Sequence, residues 1–192
     1  MIPRTIRTKR LLLEPAGPEK VEAEMRGGEA FGGALRAAVP PGWPPEELRD
    51  ALPVFAEGLR LRPDAIGWYG WHWILPGGEG RALVGSGGFH GPPDREGSVE
   101  IGYGVAPVWR RRGFAAEGTA ALLAWAFAHP EVRRVVAETE SGNGPSIRVL
   151  EKNGFRPDGK GKEPETLRFT ISREQFRSPP PRPDEGTEGR CE

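Results

Sequence analysis

Val105-Ala106-Pro107-Val108-Trp109-Arg110-Arg111-Arg112-Gly113-Phe114-Ala115-Ala116-Glu117 constrains this chain more tightly than any other stretch of it. Three arginines and a glycine stand directly before residues 115–127, an apolar-periodic segment that reads as a helix. Cations sit badly at a helix N-terminus, where the macrodipole favours anions. An anion bound in the turn reverses that sign, because free backbone N–H groups and guanidinium groups then converge on it. The turn reads as a phosphate site, and the alternative is a solvated basic turn before an ordinary helix.

The spacing adds detail. Arg110-x-x-Gly113-x-Ala115, entered from strand-like residues 99–106, resembles the R/Q-x-x-G-x-G/A loop of the GNAT acetyltransferases. Residues 143–155 carry Asn143, Ser146, Arg148, Leu150, Glu151, Lys152, Gly154 and Phe155. They resemble the N-x-x-S-x-R-x-L-E-K-x-G-F signature of the GNAT branch that includes the ribosomal-protein N-acetyltransferases. Thr8, Arg10, Leu11 and Leu13 resemble that branch's T-x-R-L-x-L first strand. The resemblance runs over residues 8–171, strong at 83–155 and weak at 18–80. It implies an α/β fold, a mixed, strongly twisted sheet of about 6–7 strands flanked by helices, with a splayed strand pair holding the coenzyme. It also implies acetyl-CoA as co-substrate, its pyrophosphate on Arg110, Arg111, Arg112, Gly113, Phe114, Ala115 and Ala116. Gly113 lets the backbone approach the phosphates, and Ala115 is small enough not to block them. Arg111 departs from the loop's common glycine, which costs backbone freedom.

Composition bounds the function class. At 192 residues the chain is one domain's length and can bury a sizeable core. Lys plus Arg and Asp plus Glu both number 27, so no global field recruits nucleic acid or an anionic membrane. Cys191 is the single cysteine, at the C-terminal end, and its use fits a reducing compartment. No apolar run spans a bilayer and no signal-peptide core follows Met1, so a cytoplasmic protein is expected. His72, His90 and His129 lack metal-ligand spacing, and no metal is expected.

Along the chain, strands are expected at 10–14, 66–75, 82–89, 99–106, 132–139 and 167–171. Helices are expected at 18–25, 45–61 and 146–152 besides the one after the arginines. The Gly- and Pro-rich residues 27–45 are not expected to be regular throughout. Trp68, Trp71 and Trp73 read either as core or, with Trp43 and Phe31, as an acceptor cleft. Residues 1–177 read as a single domain and the Pro-rich residues 178–192 as a disordered tail.

Acetyl transfer to an amine needs a neutral amine, a polarised carbonyl and a proton for the thiolate. An α-amine is already partly neutral near pH 7, whereas deprotonating a lysine ammonium there costs roughly 4 kcal/mol. A carboxylate of raised pKa would serve as base. Glu100 is the expected one, on the strand that leads into the arginine turn where the family's base glutamate is found; a solvent-facing ion pair is the alternative. By resemblance, N–H groups at Gly104 and Val105 polarise the carbonyl and bind the pantetheine arm, and the glycines at 102 and 104 would permit a bulge. Asn143 implies a further pantetheine contact. Many relatives protonate the thiolate with a tyrosine on the following helix; this chain has Ser146 there, which reads equally as thiolate partner or helix N-cap. His90 follows a strand and reads as surface or as facing the acceptor. The expectation is direct transfer to a primary amine by a monomer or homodimer: a protein or peptide α-amine by branch, with a small-molecule amine or a non-catalytic acyl-CoA-binding domain as alternatives.

Overall fold

The computed structural model describes residues 3–77 and 80–177. The strands are β1 (Ile6–Arg7), β2 (Leu12–Pro15), β3 (Trp71–Leu75), β4 (Ala82–Phe89), β5 (Ser98–Val105), β6 (Arg134–Glu140), β7 (Arg156–Lys160) and β8 (Thr166–Ser172). The helices are α1 (Pro18–Arg26), α2 (Gly28–Leu35), α3 (Glu46–Leu61), α4 (Phe114–Ala128), α5 (Gly144–Lys152) and the short α6 (Arg173–Arg177). The sheet runs β1-β2-β3-β4-β5-β6-β8-β7. Every neighbouring pair is antiparallel except β5 and β6. A parallel pair needs a crossover connection, and here α4 supplies it.

One face of the sheet packs on α4. Trp71, Trp73, Phe89, Val99, Ile101, Phe169 and Ile171 from the strands meet Leu122, Leu123 and Ala126 from α4, all buried. Alanines carry the helix's exposed positions 120, 124 and 128. The closest approach is at Gly118, where a Cβ would stand 2.6 Å from the indole of fully buried Trp73. The opposite face is covered at the β2–β4 end by α1 and α2, through Ala23, Phe31, Leu35, Ile74 and Leu83. There the Glu24 carboxylate takes the Trp43 indole N–H at 2.7 Å and lies 2.8 Å from His72 Nε2, with Glu24 and His72 both 2% exposed. Trp43 is held by that network, and Trp71, Trp73 and Phe31 are core rather than cleft lining.

Several expectations change. The sheet has eight strands, not 6–7. β1 was not anticipated, and β7 escaped because all five of its residues are exposed, leaving no apolar alternation to read. Residues 66–70 turn rather than extend, since Gly67 sits at φ +97° and strand starts only at Trp71. Residues 27–45 are, as expected, not regular throughout: α2 takes Gly28–Leu35, with Phe31 and Leu35 buried on one helical face, and irregular backbone follows. Register shifts lie in β3 between Trp73 and Ile74 and in β7 between Pro157 and Lys160; β4 and β5 pair without one. Residues 178–192, with Cys191, lie outside the described residues. Among the described residues no helix is long and apolar enough to cross a membrane.

Gly118 tests the α4 packing by sign. Helix propensity alone favours Gly118→Ala by about 1 kcal/mol, but the added methyl meets a rigid indole. We expect the variant to lose about 1–3 kcal/mol, seen as a lower urea midpoint at unchanged m. A midpoint that rises would mean that Trp73 gives way.

Candidate active site

The sheet opens in its middle. β5 pairs with β6 only at Ser98–Arg134, Val99–Val135 and Glu100–Val136. Beyond Glu100 the strands part, and β6 continues with β8 as far as Glu140–Thr166. Which groups face the gap follows from antiparallel alternation with β4. His90 N donates to Glu100 O and Ala106 N to Val84 O, each at 2.9 Å. The even residues of β5 therefore spend their backbone groups on β4, and Ile101, Tyr103 and Val105 turn theirs toward the gap. This corrects one expected contact: the Gly104 N–H faces Ser86 of β4, leaving Val105 to offer its N–H. Gly104 contributes space instead, since a Cβ there would meet nothing within 4 Å.

The arginine turn closes one end of the gap. Gly113 (φ +79°) is the N-cap of α4 and no side chain caps the helix, so the N–H groups around Phe114, Ala115 and Ala116 are available to an anion. Arg110 Nε donates to Val105 O at 3.1 Å, and the Arg112 guanidinium lies over the Trp109 ring at 4.9 Å. Arg111 occupies the left-handed region at φ +62°, where glycine alone is free of strain. Sequence reasoning missed what clamps this turn. Glu117 in the first turn of α4 accepts from Thr8 Oγ1 (2.6 Å), Arg10 N (2.7 Å) and Arg10 Nε (2.6 Å). Arg10 also donates to Arg112 O at 2.7 Å. Burial raises the Glu117 pKa, but the bonds from Thr8 and Arg10 outweigh it and leave the carboxyl below its ordinary value. The T-x-R pattern was visible; its partner, over a hundred residues away, was not. A cap-free helix start, a left-handed glycine and three exposed arginines fit a pyrophosphate.

Across the gap stand two hydroxyls. Asn143 caps α5, its Oδ1 accepting from Ser146 N at 3.1 Å. Ser146 is therefore not the N-cap, and its own hydroxyl lies 3.1 Å from Tyr103 Oη. Tyr103, on β5, bridges to α5, its hydroxyl also donating to Ser146 O at 3.2 Å. Burial pushes its phenol pKa up, which keeps it protonated and able to donate. Tyr103 was passed over in the sequence because it stands on the wrong element for the familiar pattern.

The other face of β5 carries Glu100. Its Oε1 is 3.2 Å from His90 Nδ1, and its Oε2 holds the Lys162 ammonium from the β7–β8 turn. The hydrogen bond from His90, joined by that from Lys162, holds the Glu100 carboxyl down to about 2 against the opposing effect of burial. The expectation of a raised pKa fails. These groups line a cleft of about 250 Å³ with Glu138, Arg134 and Arg168, and Glu138 Oε2 fixes the turn by accepting from Lys162 N at 2.8 Å. Among the described residues, no three His, Cys, Asp or Glu side chains gather to hold a metal ion.

The chain resembles known proteins in sequence and in fold. A family model described as "Acetyltransferase (GNAT) domain" matches residues 10–156. The protein named "Uncharacterized N-acetyltransferase YjdG" of Bacillus subtilis (strain 168) is 34% identical over 121 residues, 63% of this chain and 71% of that protein. A GNAT-family acetyltransferase structure from Bacillus anthracis superposes with a TM-score of 0.59 at 26% identity, covering 89% of this chain and 99% of that one. The ribosomal-protein-S5-alanine acetyltransferase of Vibrio fischeri shares the fold with a TM-score of 0.64 at 12% identity, over 91% and 99% of the two chains. A family model spanning most of the chain, a sheet that opens beyond Glu100 and a glycine turn at the start of α4 agree: the chain belongs to the GNAT acetyltransferase family and is an acyltransferase.

Proposed function

We propose that this protein transfers the acetyl group of acetyl-CoA directly to a primary amine, a protein or peptide N-terminal α-amine in particular. The observation that carries the reading is the gap beyond Glu100, which communicates with both faces of the sheet. Pyrophosphate rests on Arg110–Ala116, and the pantetheine arm enters along Val105 and past Asn143. The Val105 N–H polarises the thioester carbonyl from the gap side of β5. Tyr103 and Ser146 lie on the α4–α5 face, where the departing sulfur takes its proton. Glu100 lies on the opposite face, where the amine arrives. Ionised far below neutral pH, it holds an ammonium or another cation near the attack point and leaves the final uptake of the proton to a more basic group. An α-amine suits this arrangement because it demands little of a base: its pKa lies near 8, more than 2 units below that of a lysine. The fold shared with a ribosomal-protein acetyltransferase supports the same choice.

The acceptor is tested by thiol release from acetyl-CoA against peptides with free N-termini, N-terminally blocked lysine peptides, polyamines and aminoglycosides. Turnover is expected with free N-termini. Turnover confined to small amines would move the acceptor class, and coenzyme binding without turnover on any amine would favour a non-catalytic acyl-CoA-binding domain.

The hydroxyl pair gives a second expectation. Tyr103→Phe and Ser146→Ala should each lower kcat about 100-fold, the usual scale of a lost proton donor, with KM for acetyl-CoA unchanged. The double variant should be little worse than the poorer single one, because groups acting as a unit do not add. Two full, additive losses would separate them.

Arg111 gives a third. Arg111→Gly relieves left-handed strain of about 1 kcal/mol and should raise the melting temperature. It should weaken coenzyme affinity about 10-fold, the worth of one charge-assisted hydrogen bond, and less at high salt. Unchanged affinity would leave Arg111 no part in phosphate binding.

A further inference from the structure

We propose that His90 is the general base of this enzyme, with Glu100 as its positioning residue; this rests on the acetyl-transfer reading above and assigns its proton-withdrawal step. His90 is attached to Glu100 twice. Its backbone N–H donates to Glu100 O at 2.9 Å, and its Nδ1 lies 3.2 Å from Glu100 Oε1. A carboxylate only accepts, so Nδ1 carries the proton and Nε2 presents its lone pair. That lone pair leans along β5 over Gly102, where a Cβ would stand 3.3 Å from Nε2. Gly102 is two residues nearer than Glu100 to Val105 and the proposed thioester site. Gly102 leaves room for the ring, and Gly104 beyond it is open on the same face. The His90 side chain is 56% exposed, so its free nitrogen reaches an incoming amine from the cleft.

The carboxylate alone is the poorer base, because a group ionised throughout the neutral range has little affinity for a proton there. An imidazole is the side chain whose ordinary charge change falls between pH 5 and 8, and Nε2 here presents a free lone pair. The step balances as follows. His90 Nε2 takes one proton from the acceptor ammonium, and the freed amine lone pair attacks the thioester carbon. A C–N bond forms and the C–S bond breaks. The sulfur leaves with its electron pair and takes a proton from the Tyr103–Ser146 hydroxyls, which the second amine proton replenishes. The imidazolium returns its proton to solvent, one per turnover.

Other charged groups line the same cleft from several elements: Lys162 on the β7–β8 turn, Glu138 and Arg134 on β6, Arg168 on β8, and Asp94 in the turn after β4. Of these, Lys162 shares the carboxylate with His90, so the two cations compete for Glu100.

The test is the pH profile of kcat with saturating peptide acceptor, which reports groups in the bound complex. Wild type should show an acid limb in the imidazole range, with the unprotonated form active. His90→Ala should lower kcat about 100-fold at pH 6.5. The loss should narrow above pH 8, where an α-amine is largely neutral by itself. Added imidazole should restore part of the rate, and sodium chloride at equal ionic strength should not. Glu100→Gln removes the acceptor that orients Nδ1 and should lower kcat at unchanged KM for acetyl-CoA, with little rescue by added imidazole because the His90 ring still fills its place; Lys162→Met should keep the wild-type profile shape. Calorimetry with coenzyme A should find the same affinity in all three variants. A His90→Ala enzyme that keeps the wild-type rate and limb overturns the base assignment while leaving acetyl transfer intact. A wild type that binds coenzyme A and acetylates no amine overturns both.

Discussion

A strand pair that separates within a sheet leaves backbone N–H and C=O groups without partners, and everything proposed here follows from that constraint. β5 and β6 share three register positions and then part. Closing the sheet would satisfy the groups on Ile101, Tyr103 and Val105 but would remove the site. The separation is enforced from both sides. β6 is held by β8 along its full length, and β5 is held by β4 over residues 101–105. Unpaired groups in an interior are costly, so the fold keeps them where a ligand or water satisfies them. At Val105 the carbonyl is already taken by Arg110, leaving its N–H as the group that faces the gap.

The arginine turn works because the first strands reach it. β1 and β2 lie at the far edge of the sheet from β6. The turn between them nevertheless delivers Thr8 and Arg10 to Glu117, with the Arg10 guanidinium 4.6 Å over the Phe114 ring. A carboxylate in the first turn of a helix is favoured by the dipole, and here Glu117 also anchors the β1–β2 turn against the uncapped start of α4. Arg111 carries the opposite sign of stability. A non-glycine residue at positive φ costs energy that the surroundings must offset, and its guanidinium is the part of the residue that can repay it.

How much of this was legible depended on how local each part is. The phosphate turn is contiguous, so residues 110–116 read correctly as the start of a helix with a glycine at the bend. Asn143 and Ser146 stood close enough to be found together, although their division of labour needed coordinates: asparagine caps, serine faces Tyr103. The amine side was only half legible. Glu100 was found on its strand, but its partners come from a strand end ten residues earlier and from a turn over sixty residues later, joined only by register. That joining reversed the expected direction of its pKa. β7 was invisible because an edge strand paired on one side and exposed on every residue has no hydrophobic period. The tryptophans were ambiguous until Gly118 on α4 and Trp125 placed them; a lone aromatic run cannot say what it packs against.

Parity along β5 finally separates the two proton transfers. Glu100, Gly102 and Gly104 look one way, and Ile101, Tyr103 and Val105 the other. The proposed base therefore works on the cleft face and the proposed acid on the helix face, with the thioester in the gap between them. The arrangement is vulnerable to a one-residue slip, which would exchange every side chain between faces. Burial guards against it. Val99 and Ile101 are each 3% exposed within the core that α4 covers. A slip would carry both into the cleft and bring Glu100 into that core, where an unpaired charge is costly. The apolar side chains of β5 thus fix its parity, and with it which groups lie toward α5 and which toward the cleft.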